Sequence, residues 1–129
     1  MIHGEHYVAR ISPETAQAAA RQRPWSREVA NEVINFLAKF IGTNVAITKT
    51  AKDLLENHNL STCDLFSVME TGIVWGAPEK TSRKDYYKYT IIGHTLDDDT
   101  SQIKVVVIPN HLNASISILS VQVVEVRNV

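Results

Sequence analysis

Cysteine occurs once, at Cys63. A single thiol excludes an internal disulfide and any zinc site built from four cysteines, and it reads as a small packing residue near a helix start. No apolar run approaches the roughly 20 residues that a membrane-spanning helix needs, so a soluble chain with no membrane partner is expected. The opening Met1-Ile2-His3-Gly4-Glu5-His6 has neither the basic start nor the continuous apolar stretch of a secretory signal, which makes the cytoplasm the expected location. An excess of charge is missing as well. Thirteen lysines and arginines stand against fourteen aspartates and glutamates, a net charge of −1, which removes the global attraction that most nucleic-acid binders use and leaves only local contact. There is no phosphate-cradling glycine loop, no nucleophile elbow and no His-Glu-x-x-His helix. The five histidines, His3, His6, His58, His94 and His111, are not spaced as a compact metal motif. His3 and His6 suit adventitious metal binding only, and no metal site or cofactor is expected.

What is present fits one domain spanning residues 1–129, long enough to bury roughly two-thirds of the surface its unfolded form exposes. Pro13 to Arg23 is a short amphipathic stretch that Pro13 can open and Pro24 must stop. Ser26 reads as the N-cap of a stronger helix, because Val29, Val33, Phe36, Leu37 and Phe40 recur at helical spacing and Gly42 follows as a terminator. A third helix is predicted over Thr48 to His58, with Ile47, Ala51, Leu54 and Leu55 on one face and Lys49, Lys52, Asp53 and Glu56 on the other. Asn59 suits a left-handed terminating position. Ser61 or Thr62 can cap a fourth helix, with Asp64 near its positive end and Gly72 closing it.

From Ile73 the period changes from helical to extended. Ile73 to Trp75 reads as a short strand and Gly76 to Lys84 as an exposed loop. Tyr86 to Thr95, Ile103 to Ile108 and Ser115 to Val126 are predicted strands, linked by the turn chemistry of Asp97 to Ser101 and a short loop from Pro109 to Ala114. The expected fold is therefore α+β, with N-terminal helices packed on a C-terminal antiparallel β-meander of three to four strands.

Few side chains stand out chemically. His58 falls at the end of the third helix, where a protonated imidazole would meet the favourable end of the helix dipole. His94 shares a sheet face with Lys88 under regular alternation, with Tyr87 and Tyr89 on the opposite face. A His and a Lys on one face can hold a phosphate and move a proton, although a half-exposed polar face looks the same. Lys80, Arg83, Lys84 and Lys88 form a local basic run opposed only by Asp85, which also fits a solvated loop. His111, with Asn110 and Asn113, lies in the final hairpin loop and is a weak candidate. Trp25 and Trp75 read as packing anchors.

The segment Ile47-Thr48-Lys49-Thr50-Ala51-Lys52-Asp53-Leu54-Leu55-Glu56-Asn57-His58-Asn59-Leu60-Ser61 is followed by a short helix, a Gly-Ile-Val strand start, a Tyr-rich strand and a Lys-Val-Val-Val-Ile strand. In that order it resembles a small bacterial domain family grouped with the RelE-like and barnase-EndoU-colicin ribonuclease-toxin fold. The resemblance covers about residues 46–126, leaving 1–45 as a helical extension. Where the family carries His-Ala, Thr50-Ala51 stands here. Leu54 replaces its first arginine, His58 stands at its second, and Leu119-Ser120-Val121 matches its final Ile-Thr-Val. The resemblance implies metal-independent RNA cleavage, with His58, His94 and Lys88 as catalytic groups and Lys49, Lys52, Lys84 and Ser120 holding substrate. It also implies a protein partner of antitoxin or immunity type. The missing family residues and the near-neutral charge motivate a second reading, a non-catalytic relative that binds a protein partner or a second copy of itself.

Overall fold

The structure is a computed structural model that describes residues 11–21, 23–95 and 101–125. Among the described residues, four helices, α1 (Pro13–Arg21), α2 (Arg27–Lys39), α3 (Lys49–Asn57) and α4 (Thr62–Thr71), accompany five strands, β1 (Asn44–Ile47), β2 (Ile73–Lys80), β3 (Tyr87–His94), β4 (Ser101–Asn110) and β5 (Ser115–Glu125). The strands form one mixed sheet in the order β1-β5-β4-β3-β2. The four C-terminal strands are the antiparallel meander, and β1 adds to its edge in parallel with β5. The fold is α+β, as the change of period near Gly72 requires.

Local chemistry sets the helix boundaries. The Ser26 side chain accepts from the Val29 N–H and Thr48 does the same for Ala51. Ser61 and Asp64 form a reciprocal capping box at the start of α4. Asn59 ends the α3 turn with φ 54°, the left-handed conformation that asparagine tolerates. One terminator differs from the expectation and another acts where expected. Phe40, not Gly42, caps α2, its N–H returning to the Phe36 carbonyl. Gly72 closes α4 with an ordinary φ of −77°; glycine is needed there because a methyl group would strike the Val68 and Ile92 carbonyl oxygens.

The sheet departs from expectation in two places. Asn44 to Ile47 is a strand, so Ile47 belongs to the sheet and not to the face of α3. Four residues are too few to display a period, and their pairing partner, Ser115 to Ile118, lies far along the chain. The expected loop from Gly76 belongs largely to β2, which continues to Lys80 past a register shift between Trp75 and Glu79. Gly76 supplies the required φ of +81° at that irregularity, and Pro78 is tolerated because β2 is an edge strand. Of the predicted turn from Asp97 to Ser101, Asp97 to Thr100 lie outside the described residues and Ser101 opens β4; His3, His6 and the predicted strand end at Val126 also lie outside them.

Alternation along β3, β4 and β5 sends Tyr89, Ile91, Ile103, Val105, Val107, Ile116, Ile118 and Val121 into one core with the helices. Val33, Ile34 and Leu37 of α2 are fully buried in that core, as are Val68 and Met69 of α4. Each such side chain contributes about 1.5–3 kcal/mol of burial. The N-terminal helices therefore complete the core. Phe36 is buried too, and Phe40 is partly buried against it. The α2 face is not left open for a partner.

A short polar tie joins these layers. The Asn31 Oδ1 accepts from the Val74 N–H at 2.6 Å while its Nδ2 donates to the Gly72 carbonyl at 3.3 Å, pairing with the outer edge of β2 as a neighbouring strand would. The Asn35 Nδ2 donates to the Met69 carbonyl at 2.6 Å. Farther out, Glu32 accepts from the Ser12 N–H and the Thr15 hydroxyl and so holds the start of α1. Its burial opposes ionisation, but these hydrogen bonds prevail and hold the carboxyl below its usual value. Asn31→Ala leaves the Val74 N–H and the Gly72 carbonyl without this partner and should lower the unfolding free energy by about 1–3 kcal/mol. Urea denaturation reads the loss as a lower midpoint at unchanged slope.

Candidate functional site

Among the described residues, the helices cover one face of the sheet and leave the other uncovered. Lys88, Thr90 and Ile92 alternate with the core residues of β3 and stand on the uncovered face, where Thr90 pairs with Val106 and Val106 with Ser120. His94 closes the same series. Lys88 and His94 are six residues apart on one strand, a separation of about 20 Å at 3.2–3.4 Å per residue. Lys88 lies 3.5 Å from a Glu79 carboxylate oxygen. Ser120 sits between the two ends, in the row of Thr90. The structure places these three expected site residues on one face but brings no two of them onto a common atom.

The remaining expected residues lie elsewhere. His58 is the exposed C-cap of α3, its backbone N–H returning to Leu54 and Glu56. Since Ala51 and Leu55 of α3 enter the shared core, His58, Lys49 and Lys52 belong to the helical layer, across the sheet from Lys88 and His94. Lys49 pairs with Asp53 at 3.1 Å on the surface and Lys52 is exposed. Lys84 is exposed in the β2–β3 connection, where the neighbouring Arg83 lies 4.2 Å over the Tyr86 ring.

A different group of side chains does converge. Where the sheet extends past its helical cover, a cleft of about 240 Å³ opens between the segment before α2, the start of β3 and the β4–β5 hairpin. Its lining includes Arg23, Trp25, Asp85, Tyr87, Tyr89 and His111. The alternation that buries Ile91, Val105 and Val107 is what turns Tyr89, Tyr87, Pro109 and His111 to this side. Trp25 stacks on Tyr89 with ring centroids 5.7 Å apart at 17°. The Trp25 indole N–H donates to the Ala19 carbonyl, and its backbone N–H donates to the Tyr89 hydroxyl at 2.9 Å. The far wall is equally fixed: Asn110 donates to the Tyr86 hydroxyl and accepts from the backbone N–H groups of Leu112 and Asn113, shaping the hairpin turn.

Burial sets the ionisation of this cleft. It pushes the Tyr89 hydroxyl above its usual pKa, a rise that the hydrogen bond from Trp25 and the charge of Arg23 partly offset. It also lowers the His111 imidazole from its ordinary 6.5, so His111 is neutral at pH 7. Sequence reasoning read Trp25 as a packing anchor, placed Tyr87 and Tyr89 on the face opposite Lys88, and ranked His111 low. The available signal was compositional: three of the four tyrosines and one of the two tryptophans meet here.

Among the described residues no three acidic, histidine or cysteine side chains are grouped to hold a metal ion, and no helix is long and apolar enough to cross a membrane. No family model, curated protein or solved structure matches the chain.

The His111 shift has a defined sign. Because the folded pKa lies below the unfolded one, the unfolded chain takes up the proton first, and stability present above about pH 6.5 falls as the pH drops through the folded value. Glu32 gives the same sense of change but only below about pH 4.5. Melting temperature should therefore decline between pH 7.5 and 5.5 in the parent chain, and His111→Gln should flatten that decline without altering the one below pH 4.5.

Proposed function

We propose that the chain is a non-catalytic interaction module on a scaffold of ribonuclease-toxin type, and that its uncovered sheet face binds a second copy of the chain. The dispersal of the expected catalytic groups His58, His94 and Lys88 supports the first half of this reading. RNA cleavage needs a base, a cation and an acid around one phosphate. Lys88 and His94 are separated by about 20 Å of strand, with His58 across the sheet. No reach of side chains closes those distances.

The composition of the uncovered face supports the second half. Ile92, Val106 and Ile108 are half-buried there, and Trp75 is 59% exposed with Lys104 5.2 Å over its ring. A nucleic-acid surface would carry a basic stripe, whereas the cations of this face are few and Lys88 is already beside Glu79. Apolar and aromatic side chains with charges of both signs suit an isologous contact, in which one patch meets its own copy.

Two measurements test the two halves separately. Sedimentation should detect a dimer, and Trp75→Glu, which puts a charge in place of the most exposed aromatic ring of the face, should weaken it by roughly 2 kcal/mol or more, about thirtyfold in the dissociation constant. A chain that stays monomeric at about 1 mM, the weakest range of specific association, defeats the self-association reading. Incubation with RNA in the presence of chelator should leave the RNA intact. Chelator-resistant degradation that falls sharply in His58→Ala defeats the non-catalytic reading and restores the nuclease.

A further inference from the structure

The aromatic cleft is separate from the uncovered face, and its chemistry specifies an occupant. Its volume of about 240 Å³ lies below the roughly 300–1,000 Å³ of clefts that take drug-sized molecules, so it admits one ring with a short tail. Its walls are the rings of Trp25, Tyr86, Tyr87 and Tyr89 with the neutral imidazole of His111. Aromatic faces and edges of this kind favour another ring over an aliphatic chain of equal size. The Tyr89 hydroxyl receives the Trp25 N–H, which leaves its own proton for an acceptor in the cleft.

The charges at the mouth are one of each sign. Arg23 and Asp85 both line the cleft, both are exposed, and neither forms an ion pair with another described residue. Arg23 suits a carboxylate, which its guanidinium can meet with two parallel hydrogen bonds. Asp85 suits a cation. A purely acidic ligand would meet Asp85 unfavourably and a purely basic one would meet Arg23 unfavourably.

From these features we infer that the cleft is a binding site for a small zwitterion bearing one aromatic ring, of the class of a free aromatic amino acid, with Arg23 taking its carboxylate and Asp85 its ammonium group. The ring enters between Tyr87 and the Trp25–Tyr89 stack, and the charged tail stays at the mouth. Holding the charges there avoids the cost of burying them.

The test uses Trp75→Phe, which leaves Trp25 as the single tryptophan of the chain. Titration with L-phenylalanine, which is transparent where tryptophan absorbs, should change the Trp25 emission saturably, with half-saturation at or below about 1 mM. Saturation-transfer NMR on the ligand provides a readout independent of fluorescence. 3-Phenylpropionate, lacking the ammonium group, and phenethylamine, lacking the carboxylate, should each bind about tenfold more weakly, the loss of one charge-assisted contact. L-Leucine should not compete. Arg23→Gln should make L-phenylalanine and phenethylamine bind alike, and Asp85→Asn should do the same for L-phenylalanine and 3-phenylpropionate. The assignment is overturned by absence of saturable binding up to about 10 mM in both readouts. It is equally overturned by competition from L-leucine, by tighter binding of 3-phenylpropionate than of L-phenylalanine, or by an unchanged ranking of the three probes in both variants.

Discussion

The architecture depends on covering one face of the β3–β4–β5 sheet, and the helices available are shorter than the strands. A strand of ten or eleven residues, such as β4 or β5, spans about 33 Å, whereas an α-helix of ten residues, such as α4, spans about 15 Å. Covering is complete in the middle of the sheet, where Ile91, Val105 and Ile118 are fully enclosed. At one end it stops. There the same alternation that requires apolar residues under α2 and α4 places Tyr89, Tyr87 and His111, side chains with an apolar body and a polar tip. Trp25 closes the transition: its ring continues the core by stacking on Tyr89, and its two N–H groups are satisfied by Ala19 and by the tyrosine hydroxyl. The cleft is thus a consequence of unequal element lengths, lined by residues suited to the boundary between dry and wet surroundings.

The two edges of the sheet are managed by different means. On one side β1 continues the sheet beyond β5, and the Thr48 hydroxyl that caps α3 also donates to the Leu119 carbonyl, so strand end and helix start are fixed together. On the other side α2 lies along β2 and Asn31 offers it one donor and one acceptor in the positions a strand would use. Farther along, the register shift, Gly76 and Pro78 disturb the regular edge that another chain would need for pairing. Pairing of a further strand along β2 is accordingly disfavoured.

The sequence carried the architecture where the pattern was periodic or a cap was explicit. Ser26, Ser61 and Asn59 act at the positions their chemistry implied, and the residues Val33, Phe36 and Leu37 that set the helical period are buried together. It failed where tertiary pairing overrides local preference. Asn44 to Ile47 is extended because β5 lies beside it, and Gly76 and Pro78 sit in a strand because an edge tolerates them. The candidate site was less legible still. Lys88 and His94 were correctly assigned to one face by alternation, but a shared face says nothing of separation along the strand. Tyr87 and Tyr89 were placed on the other face by the same rule. What faces them depends on Trp25, more than sixty residues earlier, and no local pattern encodes that contact.

Proton transfer fails at distances that binding tolerates, and this difference is what the proposed interaction module rests on. A reacting centre needs its groups within about 3 Å of one another or of a common atom, so inventory without convergence gives no rate. An interface asks only that its parts lie on one surface with matching shape and charge. The uncovered face meets that weaker requirement, since Trp75, Thr90, Val106 and Ser120 form a continuous cross-strand row flanked by Lys88 on one side and Lys104 on the other. Neutral surroundings also suit association between copies, because a net charge of −1 imposes little repulsion when two chains approach. The same residue types that would be idle as separated catalytic groups are therefore well placed as parts of a contact surface.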